Sequence, residues 1–122
     1  MTALAMREVD LVLPLAPDAA RSARSALVSH ALDPDLEHSV CLLVTELVTN
    51  GVRHSGGRRP LRVRARLEPG RAWVEVEDGG RGFHPDIRHG ASGFGLRIVD
   101  RVATRWGVEA GPPTRVWFVV ER

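Results

Sequence analysis

The sequence contains no lysine and no tyrosine, and only 5% of its residues are aromatic. All 17 basic residues are therefore arginine, and they raise the isoelectric point to about 9.9 although the formal net charge is only +2. A protein that binds nucleic acid needs a concentrated basic face with aromatic side chains that stack on bases. The composition therefore argues against direct binding of nucleic acid.

Cysteine, long apolar runs and a secretion signal are also scarce or absent. The single Cys41 permits no disulfide within the chain and no cysteine metal cluster. No apolar run approaches the roughly 18 residues that span a bilayer, and residues 1–10 lack the basic and then apolar pattern of a secretion signal. These absences predict a cytoplasmic protein with no membrane partner.

The overall composition predicts a single domain over residues 1–122, because 43% hydrophobic and 26% charged residues are typical of a folded domain.

Alternating apolar residues predict strands over residues 7–13, 61–67, 72–78 and 114–121. Helical spacing predicts helices over residues 18–32, 33–54 and 96–105. Gly107 fits the C-terminal cap of the last helix. We expect the order strand, two helices, two strands, helix and two strands, in which the first of the last two strands is given no bounds. This order is typical of an α+β fold, a two-layer α/β sandwich with a mostly antiparallel mixed sheet and helices on one face.

The segment 68–71, Glu-Pro-Gly-Arg, predicts a hairpin between the second and third strands. Pro-Gly prefers a type II turn, which fits a two-residue hairpin poorly, so we expect a four-residue loop. Either loop places Leu67 opposite Ala72, which aligns arginine with glutamate on one face and valines on the other. The arginine-rich strand is then the solvated face of a sheet rather than a nucleic-acid patch.

This register turns two polar side chains toward the helices. Asp78 follows Val74 and Val76 with a period of two, and Thr114 shares a face with Val116. A carboxylate in an apolar layer is costly unless something donates hydrogen bonds to it. We therefore expect Asp78 and Thr114 to line a binding site, where Asp78 can accept a hydrogen bond from an exocyclic amine.

Glu46, Asn50 and His54 form one polar row along the central helix, because they are spaced by four residues. Such a row beside buried residues must be hydrogen-bonded or bound to a ligand. It is either a polar seam between helices or one wall of a site, and the row alone does not decide. Asn50 can offer a carbonyl oxygen to Mg²⁺.

Two glycine-rich segments lie between these polar groups, at residues 79–83 and 93–96, and the second opens a helix. Glycines let the backbone approach a ligand closely, and a helix N-terminus presents free N–H groups to anions. The sequence has no Walker A motif, and the second segment follows a loop rather than the strand of a Rossmann fingerprint. Together these features predict a Mg²⁺-nucleotide site, with the base at the inward strand residues and the phosphates near the second glycine segment.

Residues 46–54, 78–83 and 93–96 resemble the N, G1 and G2 boxes of the GHKL superfamily, and residues 111–118 resemble its final motif. That superfamily comprises gyrase-type ATPases, histidine kinases and relatives that share the Bergerat ATP-binding fold. The resemblance covers essentially the whole chain. Within that superfamily, this short single-domain chain is most similar to bacterial anti-sigma-factor serine/threonine protein kinases.

The resemblance implies a role for each matching residue. Asn50 would coordinate Mg²⁺, Asp78 would bond the adenine amino group, and Thr114 would hold a water beside the adenine. Glu46 would be the general base that accepts the proton of the attacking hydroxyl, while His54 would either contact the nucleotide or support the helix. The other implied ATP-binding residues are Gly80 and Gly82 at the adenine, and Gly93, Phe94, Gly95 and Leu96 at the phosphates.

The function implied by the resemblance is that of an ATP-binding anti-sigma factor. Such a protein transfers the γ-phosphate to an anti-sigma-factor antagonist and has a sigma factor as a further partner. One alternative is an ATP-gated module that sequesters a partner without phosphotransfer, and another is a plain ATPase.

The sequence departs from the family pattern in two places. Gly51 replaces the usual alanine, which weakens the helix by up to about 1 kcal/mol. The loop between the glycine boxes, residues 84–92, has only nine residues and is too short for the long lid of gyrase-type enzymes.

The sheet face away from the helices is expected to carry Val12, Trp73, Trp117 and Val119 beside its Arg–Glu pairs. An apolar patch of this kind suits a homodimer or a partner contact, and a partly covered monomer surface is the alternative.

Overall fold

The predicted order of strands and helices is confirmed by a computed structural model, which describes residues 6–54, 59–78, 94–111 and 113–122. The strands are β1 (Arg7–Leu13), β2 (Leu61–Glu68), β3 (Arg71–Asp78), β4 (Arg105–Glu109) and β5 (Thr114–Glu121). The helices are α1 (Ala19–Ser29), α2 (Glu37–His54) and α3 (Phe94–Val102), and a short 3₁₀ turn (Pro34–Leu36) precedes α2.

The five strands form one sheet in the order β1-β2-β3-β5-β4, and each of these four neighbouring pairs is antiparallel. Alternate residues of each strand face the helices, and the core lies in that single layer. Val63, Val76 and Val116 are register neighbours on the three central strands, and all three are buried. Each such side chain contributes about 1.5–3 kcal/mol on burial, so this layer holds the helices on one face of the sheet. The expected α+β two-layer fold is confirmed.

The central helix α2 lies in the middle of the helical layer and contacts both other helices. Its apolar face is fully buried over Val40, Leu43, Val44 and Val48. Toward α1, the Arg24 guanidinium donates to Thr45 Oγ1 at 2.8 Å, and Thr45 Oγ1 donates to the Cys41 carbonyl at 2.7 Å. Burial raises the pKa of the Cys41 thiol, which favours its neutral form, and this residue packs as a small hydrophobe.

The outer face of the sheet carries the expected ladder of opposite charges. Arg62 donates to Asp10 at 2.7 and 2.9 Å, and Arg64 donates to Glu75 across the β2–β3 pair. The Arg66 guanidinium lies 5.4 Å from the centre of the Trp73 ring. Exposed ion pairs contribute at most about 1 kcal/mol each. The presence of three arginines on β2 is thus accounted for by their pairing with side chains on the neighbouring strands.

The apolar patch expected on this outer face is smaller than the sequence suggested. Val12 is 66% exposed, but Val119 is only 3% exposed, and both tryptophans are partly buried. The Trp117 ring covers Gly107 on the neighbouring strand, because a Cβ at Gly107 would lie 2.7 Å from Trp117 Nε1. A homodimer contact through this face stays a prediction.

The expectation that Gly107 caps the last helix is wrong. Helix α3 ends at Val102, and Gly107 lies inside strand β4. A glycine after a helical pattern resembles a C-terminal cap, but here it gives room for the indole of Trp117 on β5.

The hairpin between β2 and β3 also differs from expectation, since its turn contains only Pro69 and Gly70. Gly70 has a φ of +77°, which glycine adopts without strain. Tertiary contacts hold this turn: the Gly70 N–H donates to Asp33 Oδ2 at 2.7 Å, and the Gly70 carbonyl accepts from the Arg122 N–H at 2.9 Å. The predicted register, with Leu67 opposite Ala72, is confirmed.

Asp33 joins the start of α2 to the hairpin turn. Backbone N–H groups of Asp35 and Gly70 donate to its carboxylate, and these hydrogen bonds lower the pKa of Asp33 below its ordinary value of 3.8. A carboxyl whose pKa falls on folding stabilises the fold above its unfolded pKa. That contribution is lost as the pH falls below 3.8 through the lowered value.

Helix α1 ends in a hydrogen-bonding pattern that normally requires glycine. The Leu32 N–H donates to the Leu27 carbonyl at 3.2 Å and the Ala31 N–H donates to the Val28 carbonyl at 3.3 Å, which together form a Schellman motif. Ala31 has a φ of 67°, the left-handed conformation that costs a residue with a Cβ about 1–2 kcal/mol. Leu32 and Leu27 are both buried, so their packing fixes this strained end.

Ala31→Gly is expected to stabilise the protein by about 0.5–1 kcal/mol, because the relief of strain exceeds the entropy that glycine adds to the unfolded chain. The melting temperature should rise by roughly 2–5 °C. Ala26→Gly is the matched control. It makes the same change inside α1 and should destabilise by about 1 kcal/mol. Equal and opposite shifts by differential scanning calorimetry would support the interpretation, and a lower melting temperature for Ala31→Gly would contradict it.

Candidate functional site

The site begins with one row of side chains across the sheet. Leu13, Leu61, Asp78 and Thr114 are successive register partners on β1, β2, β3 and β5. All four face the helices and are buried, with Asp78 3% and Thr114 4% exposed. The row is therefore apolar on the β1 side and polar on the β5 side. The predicted inward orientation of Asp78 and Thr114 is confirmed.

Helix α2 closes a recess over the polar half of this row. The recess is lined by two residues from each of three elements: Leu47 and Gly51 on α2, Val76 and Asp78 on β3, and Thr114 and Val116 on β5. The volume between these walls is about 10 Å³, which has room for one water molecule. Four of these residues were not predicted as site residues from the sequence, although two of them directly follow Glu46 and Asn50.

The recess combines apolar walls with two polar groups at one end. An ionised carboxylate only accepts hydrogen bonds, whereas a threonine hydroxyl both donates and accepts. The side chains of Leu47, Val76 and Val116 supply the apolar part of the lining. A planar heterocycle that carries an exocyclic amine has both complementary features.

The polar row of α2 lies beside the recess. Glu46 and Asn50 immediately precede the lining residues Leu47 and Gly51, so each lies about 100° further round the helix. Both are partly exposed rather than buried in a seam between helices. Both residues are thus partly accessible on the helix face next to the lining residues. His54 is the last residue of α2, and its role stays a prediction.

Helix α3 packs on α2 through Leu96 and Val99, which are fully buried. Its first residues are Phe94, Gly95 and Leu96. The N–H groups of a first helical turn have no partner within the helix and attract anions. Because the Leu96 side chain belongs to the core, only its backbone N–H can serve a phosphate. Gly80, Gly82 and Gly93 lie outside the described residues, so their assignments stay predictions.

The described residues hold no group of three or more histidine, cysteine, aspartate or glutamate side chains that could enclose a metal ion. Mg²⁺ does not require such a group, since it commonly keeps several waters and takes one or two protein oxygens together with phosphates. Asn50 and Glu46 carry side-chain oxygens, lie one turn apart on α2 and are both partly exposed. This donor set fits a magnesium ion that is shared with a phosphate group.

The family follows from a comparison with known domain families. Residues 35–122 match the family described as histidine kinase-, DNA gyrase B-, and HSP90-like ATPase. The chain belongs to this ATPase family. The match spans α2, both glycine segments and the strands that carry Asp78 and Thr114, so the family supports ATP as a ligand of this chain. The expected membership of the GHKL superfamily is confirmed.

Among solved structures, this ATPase-family domain is similar to the crystal structure of the RsbU and RsbW domains of Rv1364c from Mycobacterium tuberculosis. The TM-score is 0.72 at 18% sequence identity, and the match covers 94% of this chain and 32% of that one. The chain thus spans about a third of that neighbour's length, and the likeness shows a shared fold. No curated protein sequence matches the chain. None of the described helices is long and apolar enough to cross a membrane.

Proposed function

We propose that this protein is an ATP-binding anti-sigma factor with serine/threonine protein kinase activity. Its substrate would be an anti-sigma-factor antagonist, and a sigma factor would be a further partner. The observation that carries the proposal is the placement of Glu46 and Asn50 beside a recess that contains Asp78 and Thr114. A base, a metal ligand and a purine-binding carboxylate then lie around one small space.

In this proposal each wall of the site has a separate task. Asp78 accepts a hydrogen bond from the adenine amino group, and Thr114 holds a water beside the ring. Leu47, Val76 and Val116 contact the faces of the base. The first N–H groups of α3 bind phosphate oxygens. Asn50 holds Mg²⁺, which neutralises phosphate charge when it is bound.

The transfer step needs a base next to the attacking hydroxyl. The serine or threonine oxygen of the antagonist bonds to the γ-phosphorus, and the bond between that phosphorus and its bridging oxygen to the β-phosphate breaks. ADP carries away the electron pair of the broken bond. Glu46 accepts the hydroxyl proton, a task that suits a partly exposed carboxylate one helical turn from Asn50.

The test has two measurements on the full chain. Calorimetric titration with MgATP determines binding, and incubation with γ-³²P-ATP and candidate antagonists from neighbouring reading frames determines transfer. We expect ATP to bind and label to appear on a serine or threonine of one antagonist. ATP binding without transfer to any antagonist would overturn the kinase proposal in favour of a sequestering module. Phosphate release without a protein substrate would instead indicate a plain ATPase.

A further inference from the structure

We propose that Leu61 is a positioning residue for the base-binding carboxylate. It occupies the space that Gly51 leaves open in α2 and thereby holds Asp78 in place for an exocyclic amine. The inference rests on the proposed ATP site. It assigns recognition of the amine to a pair of residues, Gly51 and Leu61, that lie in different layers of the fold.

The first observation is the contact between these two residues. A Cβ built on Gly51 would lie 2.9 Å from Leu61 Cδ1 and 3.0 Å from Leu61 Cδ2. Real Cβ atoms essentially never approach another heavy atom so closely, so an alanine at position 51 would force Leu61 to move. Glycine inside a helix costs about 1 kcal/mol relative to alanine. The structure thus gives a spatial reason for an otherwise unfavourable residue in α2.

The second observation is the position of Leu61 in the sheet. Leu61 is fully buried, with Leu13 as its register partner on one side and Asp78 on the other. Directly opposed residues on neighbouring antiparallel strands have Cβ atoms about 4.5–5.5 Å apart. Within the sheet, a displaced Leu61 side chain therefore presses first on Leu13 or on Asp78.

The surrounding packing decides the direction of that displacement. Leu13 belongs to the dense hydrophobic core, where side chains have little room to yield. The recess, by contrast, is lined by Gly51 and Asp78 and contains about 10 Å³ of unfilled space. The easier movement is toward the recess. An added methyl group at position 51 would then disturb Asp78 before it disturbed the rest of the core.

Displacement of Asp78 should affect one hydrogen bond to the base rather than the binding of the whole nucleotide. In the proposed site the phosphates bind at α3 and Asn50 rather than at Asp78. A displaced Asp78 should weaken the binding of ATP, which has a 6-amino group. It should weaken the binding of purine riboside triphosphate, which has no such group, much less. A hydrogen bond to a charged acceptor accounts for roughly a 10- to 100-fold change in affinity.

The experiment compares these two triphosphates by calorimetry with Mg²⁺ on the full chain. Gly51→Ala should lower the affinity for ATP at least 10-fold and that for purine riboside triphosphate less than 3-fold. Leu61→Val removes one methylene, so the double variant Gly51→Ala/Leu61→Val should bind ATP within about 3-fold of the wild type. Equal loss of both triphosphates, or additive effects in the double variant, would overturn the proposal.

A second variant keeps the test decisive if Gly51→Ala does not fold. Leu61→Val alone leaves Asp78 less constrained and should lower the ATP preference over purine riboside triphosphate 3- to 10-fold. Leu67→Val is the matched control, because Leu67 is buried on the same face of β2 but pairs with Ala72. It should lower stability similarly and leave the preference unchanged. An unchanged preference in Leu61→Val would also overturn the proposal.

Failure of this inference differs from failure of the proposed function. A wild-type protein that binds neither triphosphate would contradict the ATP site itself. A wild-type protein that prefers ATP, with variants that keep the same preference, would contradict only the role of Leu61.

Discussion

Glu46→Gln is expected to reduce phosphate transfer to the antagonist by roughly 100- to 10,000-fold, the usual range for loss of a general base. Glutamine keeps the size of the side chain and removes its ability to accept a proton. Because Glu46 lies beside the recess and does not line it, ATP affinity should stay within about 3-fold of the wild-type value. Single-turnover transfer with γ-³²P-ATP and calorimetric titration measure the two quantities separately.

Glu37→Gln is the matched control for that experiment. Glu37 lies in the first turn of the same helix and is exposed, so its replacement should leave both transfer and binding unchanged. Transfer by Glu46→Gln at the wild-type rate would show that another group accepts the proton. A parallel loss of ATP affinity would instead place Glu46 among the nucleotide ligands.

Asp78→Asn is expected to weaken ATP binding by roughly 10- to 100-fold. The change removes a charged acceptor from the recess and leaves an amide that can also present its NH₂ group to the adenine. The folded state should survive, since burial of a carboxylate is more costly than burial of an amide of the same shape. Calorimetric titration with MgATP gives the affinity, and circular dichroism confirms the fold.

Glu77→Gln supplies the control for Asp78→Asn. Glu77 is the preceding residue on β3, but it faces the outer side of the sheet and pairs with Arg115 at 2.9 Å. Its replacement should leave ATP affinity unchanged. If Asp78→Asn binds ATP as tightly as the wild type does, the base does not bind at this carboxylate and the proposed orientation of the nucleotide is wrong.

The orientation of Asp78 and Thr114 could be predicted from the sequence because it depends only on local rules. Side chains alternate along a strand, and the segment 68–71 fixed the pairing of β2 with β3 whichever turn formed. The polar row of α2 could be placed on one helix face for a similar reason. Helical spacing alone determines which residues share that face.

The features that were missed depend on contacts between distant parts of the chain. Gly107 on strand β4 was interpreted as a helix cap, and the indole that explains this glycine comes from Trp117 on β5. The two-residue turn at Gly70 is held by Asp33, which lies 37 positions earlier. Such contacts leave no periodic signal in the sequence.

Gly51 illustrates the same limit within the site. From the sequence it was a departure from the family that weakens a helix. In the structure it is a wall of the recess and the point where α2 meets Leu61. The reason for a glycine at position 51 of the helical layer became apparent only when Leu61, which faces it from the sheet, was located.

The pairing of the strands also determines how this domain can be joined to others. Arg7, Leu67, Ala72 and Val120 are register neighbours at one end of the sheet, and the row with Asp78 lies six positions along the strands, about 20 Å away. Met6 and Arg122 therefore both leave the sheet at the end remote from the recess. A tag or a second domain attached at either of these two residues would begin about 20 Å from the recess.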